Sequence, residues 1–408
     1  MEWQLKTMAD IAEPVNGIVD GPFGSNLKKS DYIDDSENGI PVLTTKNLHG
    51  DYSKDSVRYI SKEKYEVIKR STVYPGDILV AKIGSIGTCG IYPLSCKNAL
   101  IPANLLKITV LPTVDRKYVY YYIQSKGFQE KIKAISTATA QPAFNVTKFR
   151  KLPIPTPPLP EQECIVARIE ELFSQLDAGV ETLKKTKAQL SVYRQAAITE
   201  AFSVENNTPN VCLSDIAQII GGITKGRDLS GTETIELPYL RVANVQNGYL
   251  DLSEIKTIKL RVDEKERYLL KPGDVLYTEG GDRDKLGRGT VWRGEIKDCV
   301  HQNHIFKARV DQSKAIPVYV ALWSMSTPAR NYFYQKGKQS VNLASINKTV
   351  LSALTLPLPT LEKQREIINH IESRLSVCDS IEQTVDAALH QAEAMRQSIL
   401  KDAFEGKL

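Results

Sequence analysis

No run of about 20 apolar residues, the length a helix needs to cross a bilayer, occurs in the 408-residue sequence. Its start, MEWQLKTMADIAEP, lacks the basic and then apolar pattern of a secretory leader. No membrane contact and a cytoplasmic location are therefore expected. Cysteine is sparse, and Cys89, Cys96, Cys164, Cys212, Cys299 and Cys378 include no CxxC pair. That excludes zinc-ribbon spacing and a disulfide framework, and leaves buried thiols as the expectation. Histidine is also scarce. His301 and His304 alternate in HQNH as polar residues of a strand would, which reads as a solvent or nucleic-acid face, and no metal site is expected.

The loops and elbows of common catalysts are missing too. There is no G-x-x-x-x-G-K-[ST] loop for nucleotide phosphates and no G-x-G-x-x-G after a strand for a dinucleotide. Gly84, Gly87 and Gly90 of AKIGSIGTCG have the wrong spacing for either and read as a turn between strands. Neither a G-x-S-x-G elbow nor an H-E-x-x-H helix occurs. With no nucleophile, base and orienting group recognisable together, no catalytic residue is assigned, and a non-enzyme is expected.

What is present is a repeat. LPIPTPPLPEQ, residues 152–162, returns as LPLPTLEKQ, residues 356–364. Proline fixes its own φ and keeps the preceding residue out of the helical region, so both stretches read as extended connectors. A long helical pattern follows each. The two align without a gap at an offset of 202, matching Gln162 with Gln364, Asp177 with Asp379, Arg194 with Arg396, and Ala201-Phe202 with Ala403-Phe404. Each keeps an apolar row every seventh residue. The first row is Ile169, Leu176, Leu183, Leu190 and Ala197, and the second is Ile371, Cys378, Val385, Ala392 and Ile399. Sustained heptads indicate a coiled-coil seam, here between the two helices of one chain. About 40 residues at 1.5 Å each make a rod of about 60 Å.

The regions before the helices repeat more loosely, at an offset of 197. Pro41 falls on Pro238, Asn47 on Asn244, and Pro75-Gly76-Asp77 on Pro272-Gly273-Asp274. Short apolar runs bounded by such turns are strand signals, so each region is expected to be a mostly β globular unit. The resulting fold class is α+β: two mostly β units, each followed by a long helix, with the helices paired antiparallel. The expected boundaries are residues 1–160 and 207–362 for the globular units, and 161–206 and 363–408 for the helices. Charge divides along the same borders. The globular regions carry net charges of +6 and +4 and the helical ones −3 and −2, within a total of +5. Basic units beside acidic rods suggest a polyanion for the former and protein for the latter.

The globular units offer loops that combine glycine, cations and amides. Glycine lets a backbone approach a bulky ligand, Lys and Arg neutralise phosphates, and Arg, Asn and Gln can pair with base edges. In the first unit the candidate DNA contacts are Ser25, Asn26, Lys28 and Lys29 of GPFGSNLKKS, Lys46 and Asn47 of TTKNL, Lys82 of AKIGS, and Gln141 and Asn145 of TATAQPAFN. In the second they are Lys225 and Arg227 of GGITKGRDLS, Arg241 and Asn244 of RVANVQ, and Arg283, Lys285 and Arg288 of GGDRDKLGRG. His304 of QNH and Lys338, Gln339 and Asn342 of GKQSVN complete the set. Lys28 is expected to meet phosphate and Arg241 a base.

These residues together resemble a known family, the specificity subunits of type I restriction-modification systems. The resemblance covers nearly the whole chain. It rests on the duplicated order of unit and helix, on PGDILVAKIG and KPGDVLYTEGG, on LPIPTPPLPEQ before the first helix, and on the Ala-Phe helix endings, the last within DAFEGKL. The second copy departs from the pattern in the connector, with LPTLEKQ where the first has PPLPEQ. The resemblance implies two target recognition domains, each reading one half of a split, asymmetric sequence in double-stranded DNA. It implies that the helices space them and dock two methyltransferase subunits, with restriction and translocation subunits added. S-adenosylmethionine, ATP and magnesium are then expected on those partners, with no cofactor in this chain. Differences between the loop sets, such as Lys82 against Glu279, imply unequal half-sites. A stand-alone DNA-binding regulator, which would not need the rods, and a bifunctional enzyme with its own nuclease remain open alternatives from the residues alone.

Overall fold

The structure, a computed structural model, describes residues 3–34, 37–53, 56–137, 141–203, 208–339 and 344–408. The chain forms two compact units, Met1–Leu183 with Ala387–Leu408, and Lys184–Asp386. Each unit thus holds one globular region together with a segment of both long helices. No helix among the described residues is long and apolar enough to cross a membrane.

In the first unit a four-stranded antiparallel sheet runs in the order Ile18–Asp20, Leu105–Ile108, Ile78–Ala81, Cys89–Ile91. Side chains alternate across a strand, and the central one is apolar at every position because both faces are covered. Ile78 and Val80 enter a core with Tyr118, Phe128, Phe149, Ile165, Ile169 and Leu400, whereas Leu79 and Ala81 enter a second core with Leu43, Tyr92 and Ile101. A five-stranded mixed sheet forms the rest of the β structure, in the order Tyr32–Ile33, Arg58–Ile60, Ile40–Val42, Ala99–Leu100, Thr72–Val73.

The second unit repeats the plan. Its four-stranded sheet runs Ala217–Gly221, Ile305–Val310, Asp274–Thr278, Gly289–Val291. Val275 and Tyr277 face a core with Tyr319, Phe333, Ile368 and Ile371, while Leu276 faces Leu240, Trp292 and Ile305. In both units the Pro-Gly-Asp turn starts the central strand. Gly76 and Gly273 adopt φ of +94° and +95°, the left-handed region that glycine enters without strain. The turn's aspartate is buried and accepts a backbone N–H, Asp77 from Tyr74 and Asp274 from Lys271, each at 2.8 Å. Its charge meets a cation from the neighbouring strand, Lys107 at 3.3 Å in one unit and Arg309 at 2.7 Å in the other.

Each unit also contains a helical pair that a mostly β reading did not foresee. The helices are Arg116–Gln124 and Lys126–Ala134 in the first unit, and Pro317–Met325 and Thr327–Lys336 in the second. The run RKYVYYYIQ, rich in aromatic and branched residues, reads as a strand by composition. Capping decides otherwise: Asp115 Oδ1 accepts from Tyr118 N at 2.8 Å and Ser125 Oγ from Phe128 N. The proline connectors are edge strands as well as links. Pro153–Thr156 pairs with Gln4–Thr7, and Thr355–Pro357 with Asn210–Cys212.

The first long helix spans Leu159–Ala201 and the second Leu361–Phe404. Just inside each start a buried glutamine locks the helix to its globular unit. Gln162 Oε1 accepts from Asp115 N at 2.9 Å while Nε2 donates to Pro157 O at 2.8 Å. Gln364 Oε1 accepts from Ile316 N at 2.8 Å, and its Nε2 donates to Lys314 O and Pro359 O. At the far end Phe404 sits edge-on against Tyr118 and Tyr122, and Phe202 in the same way against Tyr319 and Trp323. The repeated Gln and the repeated Ala-Phe are thus two ends of one docking arrangement, made twice.

Within each unit the two helices pack in opposite directions. In the second unit Lys187 pairs with Asp386 at 2.7 Å, Arg194 with Asp379 at 2.6 Å, and Glu200 with Arg374 at 2.7 Å, so partners descend as the first helix ascends. In the first unit Asp177 pairs with Arg396, whose guanidinium lies 4.2 Å over the Phe173 ring. Asp177–Arg396 and Asp379–Arg194 are one ion pair repeated. Of the heptad row, Ile169, Ile371 and Val385 are buried, and Leu176, Leu183, Leu190 and Ile399 half-buried. The thiols differ from expectation. Cys89, Cys299 and Cys378 are buried, Cys96 and Cys212 half-buried, and Cys164 is exposed because it faces away from the seam.

Candidate nucleic-acid interface

In both units the central strand ends in the same kind of junction. In the first, the strand Ile78–Ala81 delivers Lys82, whose backbone N–H donates to Asn104 O at 2.8 Å and whose carbonyl accepts from Phe144 N at 3.2 Å. Gly84 N donates to Pro142 O at 3.0 Å, so AKIGS and the QPAFN end of TATAQPAFN lie side by side. The Lys82 ammonium pairs with Asp20 at 2.6 Å and lies 4.1 Å over the exposed ring of Phe23, which brings in the start of GPFGSNLKKS. Gly21 allows that approach, because a Cβ there would stand 2.2 Å from the Pro102 carbonyl.

The second unit assembles the corresponding loops. Glu279 follows the strand Asp274–Thr278, with its N–H donating to His304 O at 2.9 Å and its carbonyl accepting from Ile346 N at 2.8 Å. Gly280–Gly281 pairs with Ala344–Ser345, which pairs in turn with Lys338–Gln339. Ile223 N donates to His301 O at 2.8 Å and Asn303 N to Ile223 O at 2.9 Å, fastening GGITKGRDLS to HQNH. A Cβ on Gly222 would lie 2.2 Å from His301 O, the counterpart of the Gly21 approach. The Arg283 guanidinium stacks 4.5 Å over the half-exposed Tyr334 ring and donates to Tyr334 O at 3.2 Å. Arg288 donates to Gln246 Oε1 at 3.1 Å, and Lys285 pairs with Asp282.

Several candidates prove to be spent inside the fold. Asn47 and Asn244 are buried, with every amide group used. Asn47 accepts from Thr44 N and donates to Asp51 O and Ser56 Oγ; Asn244 accepts from Arg241 N and donates to Asp251 O and Glu254 O. They shape the loops and do not face a ligand. Lys82 is buried and its ammonium is paired with Asp20 inside the fold. Arg227 makes a two-pronged pair with Glu264 at 2.8 and 2.9 Å, which holds that carboxyl below its usual range. Arg241 Nη2 donates to Glu254 Oε2 at 2.9 Å and to Glu254 O at 3.1 Å, so within the free chain this nitrogen of the guanidinium is engaged by the neighbouring loop, and the Nε is buried.

Asn26, Lys28, Lys29, Lys46, Gln141, Asn145, Lys225, Arg283, His304, Lys338 and Gln339 are exposed. Asn145 also caps the short helix Val146–Arg150 by accepting from Thr147 N. Lys46 lies on a turn whose Leu48 packs against Gly90, and the Ser25 side chain and Asn342 fall outside the described residues. Asp20, Phe23, Gln246 and Tyr334 were not among the contacts expected from sequence, and Glu279 was noted there only as the counterpart of Lys82. The signal of the first four was position alone, since Phe23 and Gln246 lie within loops that were singled out and Asp20 and Tyr334 lie beside such loops.

The two histidines of HQNH do not converge. His301 is buried, with Nδ1–H donating to Ile305 O at 2.8 Å, and burial pushes its pKa down to about 4. His304 is exposed and pairs with Glu279 at 2.8 Å. Among the described residues no group of three or more His, Cys, Asp or Glu could hold a metal ion.

The duplicated architecture is matched by known proteins. The family model described as the type I restriction modification DNA specificity domain matches residues 2–191 and again 206–391. The StySPI specificity subunit of a type I restriction enzyme from Salmonella potsdam is 25% identical over 97% of this chain and 88% of its own length. The EcoKI specificity subunit from Escherichia coli K12 is 24% identical over 100% of this chain and 89% of its own length. A solved chain from work on complex assembly and conformational transition of the type I R-M system shares the fold, with a TM-score of 0.71 at 17% identity, over 100% of this chain and 98% of that one. Two matched copies account for the two pseudo-equivalent units, and the chain belongs to the family of type I restriction-modification DNA specificity subunits.

Proposed function

We propose that this chain is the non-catalytic, sequence-specific DNA-recognition subunit of a type I restriction-modification complex, and that each unit reads one half of a bipartite target. The observation that carries this is the junction built twice, around Lys82 and around Glu279, from corresponding loops with opposite charge at the centre. Equal scaffolds with unequal chemistry suit a target whose halves differ. The exposed cations Lys28, Lys29, Lys225, Arg283 and Lys338 supply contacts for phosphate.

Repetition of the helix ends supports a pair of equivalent docking surfaces, and hence two methyltransferase subunits per chain, with restriction subunits joining that assembly. S-adenosylmethionine, ATP and magnesium belong to those partners in this reading, and the complex works in the cytoplasm on the cell's own DNA. Co-expression with a methyltransferase followed by native mass spectrometry tests it. A complex with two methyltransferase subunits is expected. A chain that binds a split DNA target but retains no methyltransferase is instead a stand-alone DNA-binding protein.

A further inference from the structure

The centre of the second unit's junction is a carboxylate, beside a loop in which Lys285 is paired with Asp282 and Arg283 stacks on Tyr334. Glu279 stands between His304 and the Lys338–Gln339 hairpin, with Arg283 and Lys285 on the loop that follows it. Its backbone is fixed on both sides by the bonds to His304 O and from Ile346 N. The carboxylate is fixed as well. His304 Nδ1–H donates to Oε2 at 2.8 Å, and no other described residue engages Oε1. The side chain keeps 28% of its surface exposed. At the corresponding place in the first unit stands a buried lysine closed off by Asp20, so this acceptor belongs to the second unit alone.

A negative group at this position is repelled by phosphate and finds compensation only from donors. In the major groove the donors are the amino groups of adenine and cytosine. Beside the adenine amino group lies N7, an acceptor that repels a carboxylate; beside the cytosine amino group lies only a C–H. Resting on the DNA-recognition reading above, we propose that Glu279 is a specificity-determining residue that accepts a hydrogen bond from the amino group of one cytosine in the half-site read by the second unit.

The test uses the full chain in complex with its methyltransferase, and the target duplex defined by methylation-sensitive sequencing. In separate duplexes each cytosine of the target is replaced by 2-pyrimidinone, which removes the amino group. Wild-type complex is expected to bind about ten- to a hundredfold more weakly at one cytosine in one half-site. Glu279→Ala should bind that duplex and the parent equally well, while keeping the wild-type response at every other position. Glu279→Gln, whose amide can pair with adenine, should shift that position towards adenine, and it serves as the comparison if the alanine variant does not assemble. The proposal is overturned if wild type ignores every replacement, or if both variants keep the full wild-type response. Absence of any sequence-specific binding by the wild-type complex would overturn the DNA-recognition reading itself, a result distinct from either of these.

Discussion

His301 shows what burial does to an ionisable residue in this fold. Its imidazole is enclosed in the second unit, with Lys307 and Arg309 both disfavouring its charged form, and its pKa falls from the ordinary 6.5 to about 4. Between those values the unfolded chain binds the proton and the folded chain does not, so stability is complete above pH 6.5 and falls as the pH drops towards 4. The full effect is on the order of 3 kcal/mol. His301→Phe should lose a hydrogen bond at pH 7.5 and melt lower than wild type there, but the gap should shrink or reverse at pH 5, as thermal melts at the two pH values would show. A constant gap would mean that His301 is charged in the fold.

DNA contacts belong to the residue scale as well. Lys28 and Lys29 are exposed. Replacing both with Ala should weaken binding to all sequences alike and reduce the slope of log affinity against log salt by about two. A salt titration with specific and random duplexes measures this. Such residues were legible in the sequence as types but not as roles. Asn47 and Asn244 recur at matching positions because both units need the same turn, and repetition for packing looks the same in sequence as repetition for reading. The Arg241 ion pair was not legible because its partner, Glu254, lies 13 positions away in a loop with no periodic pattern to announce the contact.

Among the elements, the long helices were the most legible, because heptad spacing and an ungapped repeat report on hundreds of atoms at once. Their ion pairs are exposed and each contributes about 0–1 kcal/mol, so the buried apolar row and the end contacts hold the pairing. Gln162 tests the end contacts. Gln162→Leu leaves Asp115 N and Pro157 O without partners inside the fold and should cost about 1–3 kcal/mol, read from denaturant unfolding of the full chain. Gln364→Leu should cost a similar amount, since Ile316 N, Lys314 O and Pro359 O lose the same partner. The short helices Arg116–Gln124 and Pro317–Met325 were not legible. Their aromatic and branched residues favour strands locally, and they are helical because the Asp115 cap in one, Pro317 in the first turn of the other, and the facing sheet in both reward it.

For the whole molecule, duplication explains why one chain carries two copies of the same connector, the same helix lock and the same strand-end junction. Duplication also separates what is shared from what is not. Gln162 and Gln364 or Asp77 and Asp274 do the same work in both halves, while Lys82 with Asp20 and Glu279 with His304 differ in chemistry at one shared address. Unequal half-sites are therefore required, and a change to a base-reading residue in one unit should alter one half only, whereas loss of a phosphate contact weakens the whole site. The most direct measurement is methylation-sensitive sequencing of host DNA after co-expressing the full chain with its methyltransferase, in wild-type form and with Lys28 and Lys29 or with Glu279 replaced. A split, asymmetric motif whose methylation depends on this chain is expected, weakened throughout by the lysine changes and altered at one position by the glutamate change. Methylation that does not depend on this chain, or a motif with two equal halves, would contradict the account.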